Sequence, residues 1–519
     1  MIERELKLHV PVSTRAELVK RLRSAKARRV LLHARYYDTP DRELANAGIA
    51  LRMRKEGRRW MQTVKAPGPD PVSRVELNHL RPDGNLDLAL YDNTPIQTTL
   101  SALAHPLALR YETKVVRLLY RHQTNDTIIE IAFDEGALFA GELELPILEV
   151  EFELIEGSSA ALFDIAKQWT LDFGLILDPR SKAERGDTLA GLALSVQTTQ
   201  TGETIVTSVS RPNSHHLFKP YRAKPPKLGK KNPVSSAYLS CAHECLTHIV
   251  QNAAYTAGVD TALANSGTHM EFVHQLRVGV RRLKSCQKLF EEWVPALPED
   301  ALEKLNNTFS QLGARRDLDV LRTVVAPRLK LAGMPDLRMP RANANRTAPA
   351  SLANSPSFQN ALLDILQALV EFGDTIHNDV NVSSEAKKRN SQNLLPRRLS
   401  SWLQAIVKKG SKFTRLPIDE QHNVRKDVKR LRYCLEMCAG VLNKSMLSKL
   451  RPALETAQED LGELNDYYTA EVLFQDMTEK QAQAWFAVGW LKAMQAQKQK
   501  DAEVHFQVLN KAPRLDGKK

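Results

Sequence analysis

Ile147-Leu148-Glu149-Val150-Glu151-Phe152-Glu153-Leu154 sets a carboxylate at every second position. Successive side chains of an extended strand point to opposite faces, so Glu149, Glu151 and Glu153 share one face, and Leu148, Val150, Phe152 and Leu154 share the other. The apolar face belongs against a core. The charged face must then be wet or filled by a ligand.

The same alternation recurs upstream between turn signals, at Glu3 to Val10, Ile49 to Arg54, Trp60 to Lys65, Arg74 to Leu77, Thr113 to Tyr120 and Thr127 to Phe133. Glu3, Glu5 and Lys7 project together, as do Arg52 and Arg54, Thr63 and Lys65, Arg74 and Glu76, and Glu130 and Asp134. The pattern predicts a closed or nearly closed antiparallel sheet. Helices interrupt it at Thr14 to Ala25, where Thr14 and Glu17 fit a capping box, and at Ala160 to Phe173.

For any single strand, a charged side facing solvent is the simpler account. Across the set, however, carboxylates gather in the first and last strands and bases in those between, whereas solvent faces mix Thr, Ser, Gln and charge. Apolar faces packed outward against helices would make the charged faces an interior. An interior carrying both carboxylates and Lys/Arg suits a polyanion bound with a divalent metal.

At 519 residues the chain exceeds what one hydrophobic core serves, and 43% hydrophobic with 26% charged residues is the composition of soluble globular protein. Glu3, Arg4, Glu5 and Lys7 interrupt any secretory signal at the start, and the longest apolar stretch, Ala484 to Leu491, is too short to span a bilayer. The expected location is the cytoplasm, with no membrane partner. A formal charge of +13 predicts attraction to polyanions: nucleic acid, an acidic membrane surface or phosphate-rich small molecules. The cysteines, Cys241, Cys245, Cys286, Cys434 and Cys438, lack CxxC spacing and read as reduced core thiols rather than as a metal site with His248.

The expected organisation is a β domain over 1–195, a basic Pro/Ser/Thr-rich linker over 196–232, a helical domain over 233–511 and a polar tail over 512–519. Arg211 to Lys231 carries seven Lys or Arg residues and no acid, which predicts loose coupling between the two domains. Beyond the linker a 3.6-residue period marks helices around Ala237 to Ala254, Glu271 to Glu292, Ala301 to Leu321, Gln421 to Ala439 and Leu450 to Glu471. Met339 to Asn360, rich in Pro, Ala, Asn and Ser, reads as an exposed loop.

The helical part repeats itself. His274-Gln-Leu-Arg277-Val-Gly-Val-Arg281-Arg282-Leu-Lys284 returns 148 residues later as His422-Asn-Val-Arg425-Lys-Asp-Val-Lys429-Arg430-Leu-Arg432. Leu312-Gly313 and Leu461-Gly462 follow in the same order, offset by 149. His274, Arg277, Arg281 and Lys284 fall at i, i+3, i+7 and i+10, as do His422, Arg425, Lys429 and Arg432, so each set forms one basic stripe. A charge run is ordinarily a solvated face. Two self-repelling stripes at equal spacing argue instead for a bound anion.

These residues are familiar. Glu3-x-Glu5-x-Lys7 resembles the opening signature of the CYTH superfamily, the triphosphate tunnel metalloenzymes. Tyr36-Tyr37-Asp38-Thr39, Leu51-Arg52-Met53-Arg54, Thr63-x-Lys65, Arg74-x-Glu76, Phe133-Asp134-Glu135-Gly136, Glu149-x-Glu151-x-Glu153 and Ser181-Lys182-x-Glu184-Arg185 follow in the family's order. The resemblance implies an eight-stranded antiparallel tunnel in which Lys7, Arg52, Arg54, Lys65, Arg117 and Lys182 hold a triphosphate. It implies Glu3, Glu5, Asp134, Glu149, Glu151 and Glu153 as ligands of Mg or Mn and of water, with Glu3, Glu5 and Lys7 at the catalytic centre. Arg74 and Glu76 are expected to form an internal pair, and Lys114, at an odd spacing from Arg117, cannot face inward with it unless a bulge intervenes.

The helical repeat resembles the CHAD domain, whose family reading is polyphosphate binding, through His274, Arg277, Arg281, Lys284, His422, Arg425, Lys429 and Arg432. The combined expectation is an α+β multidomain chain acting as a metal-dependent inorganic triphosphatase. It would cleave tripolyphosphate to pyrophosphate and phosphate, with long-chain polyphosphate as a partner of the helical domain. Thiamine triphosphatase, adenylate cyclase or a non-catalytic polyphosphate adaptor remain open on the same barrel. Nucleic acid is disfavoured, because the stripes carry almost no aromatics for base stacking, Tyr433 excepted.

Overall fold

The computed structural model describes residues 2–68, 70–124, 126–200, 219–229, 231–261, 264–339, 347–378, 390–511 and 515. Eight antiparallel strands come first: β1 (Ile2–His9), β2 (Arg28–Asp38), β3 (Ala50–Glu56), β4 (Arg59–Pro67), β5 (Ser73–Leu80), β6 (Ala108–Gln123), β7 (Ile128–Ala140) and β8 (Leu143–Glu156). They run in the order β5-β4-β3-β2-β6-β7-β8-β1, and β1 pairs back onto β5. That closure makes a barrel without free edges. A two-residue strand, β9 (Ile176–Leu177), adds to β1.

The alternation seen in the sequence decides which side is lumen. Leu6 and Leu8 of β1, Phe133 of β7, and Val150 and Phe152 of β8 are buried outward against helices, with Phe152 edge-on to Trp169 at 5.5 Å. The barrel's helices are α1 (Arg15–Ser24), α2 (Glu43–Asn46), α3 (Gln97–Ser101), α4 (Ser159–Phe173) and α5 (Lys182–Gln200). Charged residues are left to the inside, as expected.

The second region is all helix: α6 (Val234–Ala257), α7 (Ser266–Phe290), α8 (Glu299–Val320), α9 (Ala326–Leu331), α10 (Pro349–Ala353), α11 (Pro356–Asn378), α12 (Ser391–Gly410), α13 (Ile418–Met437), α14 (Lys444–Thr478) and α15 (Ala484–Asn510). The repeated segments are α7 and α13, which pack together where Cys434 Sγ meets the Ser285 carbonyl at 3.5 Å. All five cysteines are free and buried. Among the described residues no helix is long and apolar enough to cross a membrane.

Four local expectations change. β2 escaped the strand pattern because Leu31 and Leu32 fall on both faces, Leu31 exposed and Leu32 buried, which masks the period of two. Thr14 makes no side-chain cap; its hydroxyl donates to the Phe173 carbonyl at 2.7 Å and ties α1 to α4. The stretch read as a loop becomes helical from Pro349, since Pro349 and Pro356 each open a helix, where a missing N–H costs nothing. Most of the linker, 201–218 and 230, and the tail apart from the buried Leu515, lie outside the described residues.

The fourth change concerns coupling. Loose association is contradicted by a shared core, in which Leu6, Leu8 and Phe163 of the barrel region join one cluster with Phe358 and Leu362 of α11. The Leu177 N–H donates to Gln359 Oε1 at 2.9 Å, Lys167 Nζ to Asp364 at 3.1 Å and Arg4 to Asp374 at 2.7 Å. Linker composition says how the chain connects two bodies, not how their surfaces fit.

Candidate functional site

Two walls of unlike charge face each other across the lumen. On one side β3, β4 and β5 contribute Arg52, Arg54, Lys65 and Glu76, with Arg52 opposite Thr63 and Lys65 opposite Glu76 in the register. Arg52 reaches Glu76 at 3.6 Å, and Lys65 pairs with Glu76 and lies 4.0 Å from Glu5. Glu76 is thus the acid that steadies the basic wall. Its expected partner Arg74 instead donates to the carbonyls of Ser73 (2.9 Å) and Pro71 (3.2 Å), because it sits at the β1–β5 seam beside Glu3.

On the other side, β1 and β8 align Glu5 with Glu153, Lys7 with Glu151, and His9 with Glu149, while β7 sets Asp134 opposite Glu149. Asp134, Glu149 and Glu151 each offer an oxygen within 4.8 Å of the others. The Lys182 ammonium, from the first turn of α5, lies 2.7, 2.5 and 2.9 Å from these three carboxylates. Arg117 donates to Asp134 at 2.6 and 2.7 Å and to Glu151 at 2.6 Å. Arg117 and Lys182, expected on the phosphate, therefore lie on the acidic wall. Lys114 points out, over Phe139 at 5.2 Å, and no bulge intervenes between β6 and β7.

The donor set fits a hard divalent cation: three carboxylates converge, all oxygen ligands, and a point cation already sits among them. Glu3, Glu5 and Glu153 lie apart from that trio, nearer Lys65 and Glu76. The site thus has two carboxylate groups rather than one set of six.

Electrostatics separates the groups. Burial, with Glu76 and Glu153 nearby, raises the Glu3 carboxyl to about 7, and burial with Glu130 raises Glu153 to about 7. Burial would raise Glu76 too, but Lys65 and Arg52 outweigh it and bring the group to about 2. Burial likewise opposes ionisation of Asp134 and Glu151, yet Lys182 and Arg117 hold both below the ordinary carboxylate range. On the basic wall, burial and then Arg52 push Arg54 down to about 10. The Lys7 ammonium, 8% exposed, has no hydrogen-bond partner among the described residues. A buried ammonium and crowded guanidiniums make a receptor for an anion.

The helical stripes are arranged differently. Arg277, Arg281 and Lys284 gather over the ring of Phe309 at 4.7, 5.2 and 5.7 Å. Gly313 admits the first of them: a Cβ there would meet Arg277 Nη1 at 2.5 Å. Gly462, its counterpart, meets nothing within 4 Å, so the repeats differ at this point. On α13, His422 shares a hydrogen bond with Asn465 at 3.1 Å, and Arg432 pairs with Glu436 at 3.2 Å. Burial, Arg281 and Lys426 of the facing helix lower Lys284.

Sequence reasoning assigned no role to Arg185, Arg180, Asp178, Asp260 or His9, which surround Glu149 at the junction of barrel and bundle. Arg185 was visible as the end of the Ser181–Arg185 motif. Asp260 carried no local signal.

Residues 1–186 match the model of the CYTH domain, and residues 242–475 match that of the CHAD domain. An inorganic triphosphatase of Haemophilus influenzae is 35% identical over 158 residues, 29% of this chain. The match spans less than half of that protein's length, 44%. A crystal structure of the CHAD domain from the plant Ricinus communis is 26% identical, covering 57% of this chain and 99% of that one at a TM-score of 0.45. An adenylyl cyclase candidate from Hippeastrum, described as having a dominant triphosphatase activity, is 18% identical, covering 35% and 92% at a TM-score of 0.28.

Proposed function

From a chain that joins a CYTH domain to a CHAD domain, we propose a metal-dependent inorganic triphosphatase that cleaves tripolyphosphate to pyrophosphate and phosphate, with a helical domain that binds long polyphosphate. The observation that carries this reading is the pairing of a buried ammonium, Lys7, that has no hydrogen-bond partner among the described residues, and a crowded Arg52/Arg54/Lys65 wall with a carboxylate trio opposite. A receptor for an anion alone gains nothing from three ionised carboxylates beside it; they are costly unless a cation joins them to the ligand. The relationship to an inorganic triphosphatase over the β domain points the same way.

Lys7, Arg52, Arg54 and Lys65 hold phosphate oxygens and fix the chain in line. Asp134, Glu149 and Glu151 would hold Mg or Mn, which supplies charge neutralisation on the phosphoryl group during displacement. Lys182, now among these carboxylates, would in that case be available to phosphate, the role expected of it. Glu3 and Glu153, raised to about 7, are matched in strength to accept a proton from attacking water at neutral pH.

The test is phosphate release from tripolyphosphate, with and without Mg or Mn, beside thiamine triphosphate and ATP. Metal-dependent release from tripolyphosphate in preference to the other two is expected. Binding of tripolyphosphate without release identifies a receptor and rejects the enzyme.

A further inference from the structure

Asp260 belongs to the bundle, in the turn between α6 and α7, yet its side chain lies against the tunnel. Its backbone takes φ +59°, and Gly258 before it takes +103°. The left-handed turn sends the Asp260 carboxylate, 7% exposed, onto two arginines of the barrel region. Arg185 Nε and Nη2 donate to its two oxygens at 3.0 and 2.8 Å, a bidentate fork. Arg180 adds a contact at 3.0 Å while also gripping Asp178 at 2.7 and 2.8 Å and lying over the ring of Tyr255.

The fourth hydrogen bond of Arg185 reaches the carboxylate trio. Nη2 also donates to the Pro146 carbonyl at 2.7 Å, and the remaining Nη1 donates to Glu149 Oε2 at 3.2 Å. One oxygen of Glu149 is therefore held, while Oε1 faces the cluster, where Lys182 Nζ approaches at 2.5 Å. Were Asp260 absent, Glu149 would be the only carboxylate among the described residues still hydrogen-bonded to this buried guanidinium, and fork geometry would draw both of its oxygens. An uncompensated positive charge would also remain beside the cation site.

We infer that Asp260 is a positioning residue of the tunnel, supplied by the helical domain: it holds Arg185 so that Glu149 keeps one oxygen free for a divalent cation. The two domains thus share one charge network, from Asp260 through Arg185 to Glu149. The inference rests on the reading of Asp134, Glu149 and Glu151 as a cation site.

The experiment is a Mn2+ titration of the full chain, followed by the paramagnetic resonance of free Mn2+. Asp260→Asn keeps volume and tolerates the positive φ. It should weaken Mn2+ binding by about tenfold, the lower end for an outer-shell partner of a ligand. Asp374→Asn, which opens the interdomain pair with Arg4, should leave Mn2+ affinity unchanged. Adding Asp260→Asn to Arg185→Gln should change affinity no further than Arg185→Gln alone. Unchanged affinity in Asp260→Asn, an equal loss in Asp374→Asn, or additive losses in the double variant overturns the inference. A wild-type chain that binds Mn2+ but releases no phosphate from tripolyphosphate defeats the proposed activity and leaves the role of Asp260 standing. A chain that binds no Mn2+ defeats both.

Discussion

The barrel and the bundle both concentrate positive charge, and they do so under opposite constraints. In the lumen Arg52, Lys65, Arg117 and Lys182 each stand within reach of a carboxylate, Lys7 has no hydrogen-bond partner among the described residues, and the set is largely buried. In the bundle Arg277, Arg281 and Lys284 lean on one another over Phe309, and Lys284 faces Lys426 across α7 and α13. Matched buried charges form a rigid receptor of fixed length, which suits a short phosphate chain and a metal. Crowded charges that run from the buried Arg277 to the exposed Lys284 would, on the proposed reading, form a length-tolerant surface whose affinity comes from counterion release. The difference teaches that net charge, +13 for the chain, predicts attraction to polyanions but not the mode in which either region would bind one.

The sharpest way to break the comparison is to remove charge from the matched set. Glu151→Gln preserves volume and takes away a carboxylate of the trio, and Glu5→Gln does the same near Lys65. Turnover of tripolyphosphate should fall by about 100-fold or more for Glu151→Gln and less for Glu5→Gln, since only the first group has converging oxygens. Near-normal turnover in both at saturating metal rejects the acidic wall as catalytic. Next, Arg52→Ala and Lys65→Ala should raise the KM for tripolyphosphate by about tenfold or more. Pyrophosphate should be the poorer substrate throughout; equal hydrolysis of pyrophosphate ends the idea of a length-matched tunnel.

On the bundle side, reversing charge at Arg281 and Lys429 together should remove binding of long polyphosphate by the full chain. Wild-type affinity should fall steeply with salt, with a slope near −0.7 per phosphate neutralised by analogy with single strands. The full chain is the proper sample, because the shared core makes an isolated bundle a different object. An equal loss of tripolyphosphate turnover in this variant merges the two regions into one site.

The smallest effect is one of stability. Glu3 and Glu153 titrate at about 7 in the folded chain against 4.5 ordinarily, so folding favours their protonated forms. Their contribution is fully present below pH ~4.5 and is lost as pH rises through about 7. Without metal, the Tm of the wild type should exceed that of Glu153→Gln less at pH 8 than at pH 5, or reverse order with it. A difference independent of pH assigns the shift to other groups.

The strands legible beforehand were those whose apolar and charged positions strictly alternate, such as Glu149 to Leu154. β2 was not, since Leu31 and Leu32 occupy both faces. The repeat was legible because His274 to Lys284 and His422 to Arg432 preserve residue type and spacing together. The lumen's pairings were not: Glu76 was assigned to its strand neighbour Arg74, whereas the register hands it to Lys65 and Arg52. Lys182 was expected on phosphate, and its ammonium lies among Asp134, Glu149 and Glu151, whose negative potential attracts it.

By itself, then, the sequence determined the closed β unit, the helical repeat and the segregation of acid from base, because period and spacing are properties of neighbouring residues. Tertiary structure alone decided which acid meets which base, that the two bodies share a core, and that Asp260 lies against Arg185, 75 residues away. Ion pairs form between side chains that register and docking bring within a few ångströms, and neither is encoded in the residues adjacent to each partner. A local pattern can orient a side chain inward; only the closed barrel and the bundle beside it determine what it meets there.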